Sequence, residues 1–107
     1  RQSSIGVVMM LARHMRQLGL CQAGKQQRLG RSELAKKVAV PPFVLSKLEE
    51  QAEHYSVRGV AQALTRLGEA DRTLKGFGGS SKVLGRGLAE RVVVEGLVQD
   101  LIRLAKR

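Results

Sequence analysis

From Ser3 to Leu20 the apolar residues Ile5, Val8, Leu11, Ala12, Met15 and Leu18 recur at steps of three and four, while Arg13 and Gln17 project from the other side. Only a helix places such a set on one face. The same period returns in the fourth segment, where Val57, Val60, Ala63, Leu64, Leu67, Ala70 and Leu74 form the apolar arc of a helix expected over 57 to 75. No segment alternates with a period of two, so no strand is expected, and no repeat of 20 to 50 residues divides the chain.

The breaks between periodic segments give the remaining elements. "CQAGKQQRLGR" at 21 to 31 combines two glycines, polar residues and three basic residues without periodicity, and reads as a mobile connection. Ser32 is positioned to cap a short helix from Glu33 to Val38. Pro41 and Pro42 suit the first turn of a third helix, from about Pro41 to His54, because a first-turn amide has no intrahelical acceptor to lose. Ser56 caps the fourth helix, which ends at "GFGGSS", 76 to 81. A fifth helix from about Lys82 to Ala105 has a broad apolar set (Val83, Val93, Val94, Leu97, Val98, Leu101 and Leu104), wide enough for a central packing position despite Gly85, Gly87 and Gly96. The expected fold is all-α, a single bundle of approximately five helices formed by all 107 residues.

Charge narrows the partners. The chain carries 19 Lys and Arg against 9 Asp and Glu, a net charge of +10, which favours an anionic ligand or an acidic protein surface. Residues 1 to 40 hold eight basic residues and only Glu33, so the excess lies at the front. Lys25, Arg28, Arg31, Lys36 and Lys37 are the candidate DNA-proximal cations. Only Phe43, Tyr55 and Phe77 are aromatic, too few for a base-stacking platform, and an RNA-binding helical domain rests on charge alone. The longest apolar run, "VVMMLA" at 7 to 12, is far short of a membrane span, so no membrane partner is expected. The start at Arg1, with no targeting pattern after it, suggests a piece of a longer protein. The lone Cys21 cannot form an internal disulfide, fits a reducing cytoplasm and is expected to be buried and inert.

No catalytic constellation is present in the sequence. His14, Cys21, His54 and the carboxylates are scattered without metal-ligand or nucleophile-base spacing, so no catalytic residue, metal or cofactor is assigned. "GFGGSSK" at 76 to 82 lacks the Gly-Lys-Ser/Thr ending and preceding strand of a phosphate-cradling loop and reads as a turn.

Two features remain open. "SELAKKVAVPPFVLSKLEE" at 32 to 50 has the spacing of a helix-turn-helix, with Ala35, Val38, Val40, Leu45 and Leu48 on the inner side. Its second helix would present Pro41, Pro42 and Phe43 to a major groove, with only Ser46 and Lys47 polar in the next turn and Glu49, Glu50 and Glu53 beyond. A packing corner is therefore the first reading, and a DNA-binding regulator using residues 32 to 50 is the alternative. Asp71, between Leu67 and Leu74 in the apolar arc, is either paired with Lys75 at the edge of the core or turned towards another chain, and Arg72 could join either arrangement.

"LARHMRQL" at 11 to 18, "ELAKKVAVPPFVLSKLEEQAEHYS" at 33 to 56 and "ALTRLGEADRTLKG" at 63 to 76, in that order, resemble the C-terminal domain of the delta subunit of the bacterial DNA polymerase III clamp loader. The resemblance spans roughly residues 5 to 105, and its most telling pieces are Val40-Pro41-Pro42-Phe43 and the run from Glu69 to Gly76. It implies a non-catalytic helical collar domain that associates with the gamma/tau and delta-prime subunits, and outward faces of helices one, four and five are the expected binding surfaces. The sliding clamp would be gripped by an N-terminal ATPase-like region absent from this chain, and DNA would be met only within the assembled loader. The linker at 76 to 87 and the basic stretch from Lys25 to Lys37 are left unassigned by the resemblance.

Overall fold

The computed structural model describes residues 4–76 and 83–105, and within them five helices and no strand: α1 (Ser4–Gln26), α2 (Arg31–Val38), α3 (Pro42–Ala52), α4 (Val57–Gly76) and α5 (Val83–Leu104). The all-α bundle follows from the helical period of the apolar residues. Beyond Gly76, the expected "GFGGSS" turn lies outside the described residues, as do the side chains of 83 to 88 and with them Val83.

The core is one cluster. Val8, Met15, Leu18 and Cys21 of α1 meet Val60, Ala63, Leu67, Ala70 and Leu74 of α4, and Leu97 and Leu101 of α5 close the far side. Leu34, Ala35 and Val38 of α2 with Leu45, Leu48 and Ala52 of α3 extend the cluster along α1. Each large side chain so buried contributes roughly 1.5–3 kcal/mol. The molecule measures 51 × 26 × 18 Å, so it is about two helix diameters thick.

Four expectations change. First, α1 runs on through Gln26, so Cys21 to Gln26 are helical instead of a mobile connection. Cys21 follows Leu18 by one helical step and is fully buried, and Gly24 lies against Leu34 of α2; neither glycine nor cysteine carries a strong apolar signal in sequence, but both face the core. The helix stops where Arg28 turns left-handed (φ 58°), with the Leu29 amide donating to the Gly24 carbonyl at 3.0 Å.

Second, Gly30 is the N-cap of α2 and Ser32 sits exposed inside its first turn. The extended backbone of Gly30 (φ −68°, ψ 163°) starts the helix through its carbonyl, which accepts from the Leu34 amide at 2.9 Å. Third, α3 begins at Pro42 with Pro41 as its N-cap, and ends at Ala52, two residues before His54. Gln22 of α1 secures that end: its Nε2 donates to the Tyr55 carbonyl at 2.9 Å and reaches the Ala52 carbonyl at 3.5 Å, which also accepts from the Tyr55 amide at 3.2 Å. Ser56 does cap α4, accepting from the Gly59 amide at 2.8 Å.

Fourth, α5 is peripheral and α1 is central: α1 packs against all four other helices, and α4 lies between α1 and α5. Val98 is 41% exposed and Val93 and Val94 only half-buried, because α5 has α4 on one side and touches α1 just at its start, where Ser4 Oγ donates to Glu90 Oε1 at 3.1 Å. Val57 also lies outside the core, exposed in the first turn of α4, and Leu64 is half-buried.

Glycine substitutions read this packing directly. A Cβ on Gly24 would collide with the Leu34 side chain, which is itself only 2% exposed, so Gly24→Ala should destabilise the fold by about 1–3 kcal/mol in urea denaturation. Gly96 on the outer face of α5 has nothing within 4 Å of that position, and Gly96→Ala should stabilise by up to about 1 kcal/mol.

Candidate functional site

Asp71 and Lys75 of α4 line an open groove between α1 and α4, on the side away from α5, and Arg72 lies outside that lining. The groove has a volume of about 450 Å³ and an apolar floor of Val8, Ala12, Leu64 and Leu67. Helical spacing builds it: Val8, Ala12 and Arg16 follow one another at four-residue steps on α1, and Leu64, Gly68 and Asp71 do nearly the same on α4. Gly68, with no side chain, keeps the α4 wall low.

The Asp71 carboxylate is held within the chain. Lys75 Nζ is 3.0 Å from Asp71 Oδ2, in the favourable acid-before-base order one turn apart. Lys75 is 62% exposed and Asp71 27%, so the pair spans the groove edge and the ammonium stays in water. Asp71 Oδ1 is shut off from solvent and has no hydrogen-bond partner among the described residues, which makes the carboxylate costly without its lysine. Arg72 takes no part: one residue on, it points elsewhere, and its guanidinium reaches back over Gly68, with Nη1 3.7 Å from where a Cβ would stand.

The five candidate basic residues separate into two kinds. Lys25, Arg28, Lys36 and Lys37 are exposed at the α1–α2 end and form no ion pair among the described residues. Arg31 is committed to structure. Its Nη1 is 2.8 Å from Glu49 Oε1, and Nη2 donates to Ser46 Oγ at 2.7 Å and to the Pro42 carbonyl at 3.3 Å, clamping the first turn of α2 onto α3. The α2–α3 corner has the helix-turn-helix form, turning at Ala39 in a left-handed conformation (φ 65°), with Leu45 and Leu48 inside. Ser46, one of the two polar residues near the start of its second helix, is engaged by Arg31, and Phe43 beside it is 73% exposed.

No grouping of three or more His, Cys, Asp or Glu residues able to hold a metal occurs among the described residues. His14 is half-buried on α1, His54 is exposed after α3, and Cys21 is fully buried. Burial pushes the Cys21 thiol above its ordinary pKa, the negative charge of Glu49 adds to this, and Lys25 opposes it. Burial likewise raises the Tyr55 phenol, whose hydroxyl donates to the Leu101 carbonyl at 3.3 Å. No described helix is long and apolar enough to cross a membrane.

Sequence spacing alone does not single out Arg16 or Gly68. Arg16 follows Val8 and Ala12 on one stripe, a usable signal, but nothing in the sequence shows that a groove stays open there between α1 and α4.

Residues 1–85 match a family model described as the DNA polymerase III delta subunit, C-terminal domain, a range that covers α1 to α4 and stops at the start of α5. No curated protein and no solved structure gives a match.

Both raised pKa values belong to groups that are neutral when protonated. Their contribution to stability is complete below the ordinary values, 9.0 for Cys and 10.0 for Tyr, and declines as pH rises through the folded-state values. The folded protein should therefore lose stability above about pH 9, and Cys21→Ser should remove the earlier part of that decline in denaturation curves taken from pH 7 to 11. At pH 8, Cys21 should react with a thiol reagent only on unfolding.

Proposed function

The chain belongs to the family formed by the C-terminal domain of the DNA polymerase III delta subunit, and on that footing we propose that it is a collar domain that assembles side by side with the gamma/tau and delta-prime subunits of the clamp loader. The observation that carries this reading is the family match over residues 1–85, which takes in the whole α1–α4 scaffold. The role is assembly, with no chemistry or cofactor of its own: burial of apolar and charged side chains between neighbouring helical domains, so that the loader can place the sliding clamp on DNA. All 107 residues act as this one domain, and engagement of the clamp falls to an N-terminal ATPase-like region outside this sequence. The setting is the cytoplasm of a bacterium.

The geometry supports outward faces of α1, α4 and α5 as the docking surfaces. Met9 and Met10 on α1 are 60% and 51% exposed, and Val98 and Ile102, one turn apart on α5, are 41% and 69% exposed. Apolar side chains left outside a core of this size favour burial against another protein. The family match gives the DNA-binding-regulator reading no support, and the Arg31 clamp on Ser46 and Glu49 explains the α2–α3 corner as packing.

The exposed cations at the α1–α2 end lie near primer-template DNA in the assembled loader, a role motivated by the front-loaded positive charge.

On a sizing column in salt well above physiological strength, where phosphate-type interactions are screened, the chain should co-elute with gamma/tau and delta-prime; separate elution would remove the collar reading. In the loader carrying Lys25→Glu, Arg28→Glu, Lys36→Glu and Lys37→Glu, DNA affinity at low salt should fall, and the slope of log K against log salt should shrink by about 0.9 for each phosphate no longer neutralised. Unchanged affinity would place DNA away from this end. Arg31 is left intact there because its reversal would break the clamp on Glu49.

A further inference from the structure

The groove between α1 and α4 combines an open apolar floor with an uneven set of charges. Asp71 is already neutralised by Lys75 at 3.0 Å. Arg16 on the α1 side and Arg72, whose guanidinium overhangs Gly68 on the α4 side, form no ion pair among the described residues. The groove thus has an apolar floor with the uncommitted Arg16 guanidinium in its lining, and that of Arg72 lies outside the lining, beside Gly68 at its edge, on a chain of net charge +10. A cationic side chain entering it would meet this excess, and a carboxylate would relieve it, with the planar fork of arginine suited to two-point pairing.

We propose that this groove seats an amphipathic helix of a neighbouring clamp-loader subunit, whose apolar side chains enter between α1 and α4 and whose carboxylates pair with Arg16 and Arg72. The proposal rests on the collar reading and adds to it the face used and the chemistry of the partner element. Gly68 makes the seat accessible, since any side chain there would project into the groove. The Asp71–Lys75 pair has a positioning part: it holds the lysine amine at the rim and leaves the two arginines as the free charges.

The test is the dissociation constant of the 107-residue chain for purified gamma/tau and delta-prime subunits, measured without DNA. Arg16→Glu and Arg72→Glu should each weaken assembly by about tenfold or more, as attraction turns to repulsion, and the loss should shrink at high salt. Gly68→Leu should fill the groove and weaken assembly at least as much while leaving Tm unchanged or raised, which separates blocked docking from misfolding. Lys47→Glu, the same charge change on exposed α3, should stay within about twofold of wild type. Wild-type assembly that none of the three groove variants disturbs would overturn the groove proposal and leave the collar reading standing. A wild-type chain that does not assemble would overturn both. If the groove variants instead dissolve a self-dimer of the chain and leave assembly with the other subunits intact, the occupant is a second copy and the proposal is wrong.

Discussion

The packing of Val60, Ala63, Leu67, Ala70 and Leu74 of α4 against α1 is the constraint on which the bundle depends, since α1 also carries α2 and α3 and α4 carries α5 on its other flank. Its small residues matter as much as its leucines. Ala63 is fully buried, and alanine at 63 and 70 lets helix backbones approach while Leu67 and Leu74 fill the space between layers. With α4 enclosed on two sides, α1 is free to turn its remaining face to α2 and α3, and α5 is left as an outer helix whose far side stays apolar and exposed.

The same economy runs through the polar interactions. Gln22 uses an exposed-looking amide to finish α3, and Arg31 turns one of the front-half cations into a three-point link across the α2–α3 corner. Arg31 is 55% exposed, so its ion pair with Glu49 contributes little to global stability by itself; its effect is to fix the angle at which α3 leaves the turn. Basic residues that read alike in the sequence therefore serve different ends, four as free surface charge and one as a structural tie.

The docking proposed for the α1/α4 groove would give specificity without a catalytic centre. In that docking the apolar floor would supply the burial, and the charges at its edges would fix register and reject like-charged partners. Asp71 sits where those two demands meet. One oxygen is sealed against the apolar wall and the other is bound to Lys75, so the carboxylate holds the lysine in place at the rim.

Much of this was legible in the residues themselves. The three-to-four spacing of Val8, Met15 and Leu18 and of Val60, Leu67 and Leu74 required helices, the Pro41-Pro42 pair and Ser56 marked where two of them begin, and the Asp71-to-Lys75 interval made an ion pair one of two open arrangements, because all of these depend on interactions within a turn or two of chain. The continuation of α1 through Gly24, the choice of Gly30 over Ser32 as a cap, the outward turn of Val57 and Val98, the Arg31 link and the groove itself were decided by tertiary packing. Periodicity reports which residues share a face, but not how many neighbours that face will have, and a glycine reads as a break until a leucine from another helix is laid against it.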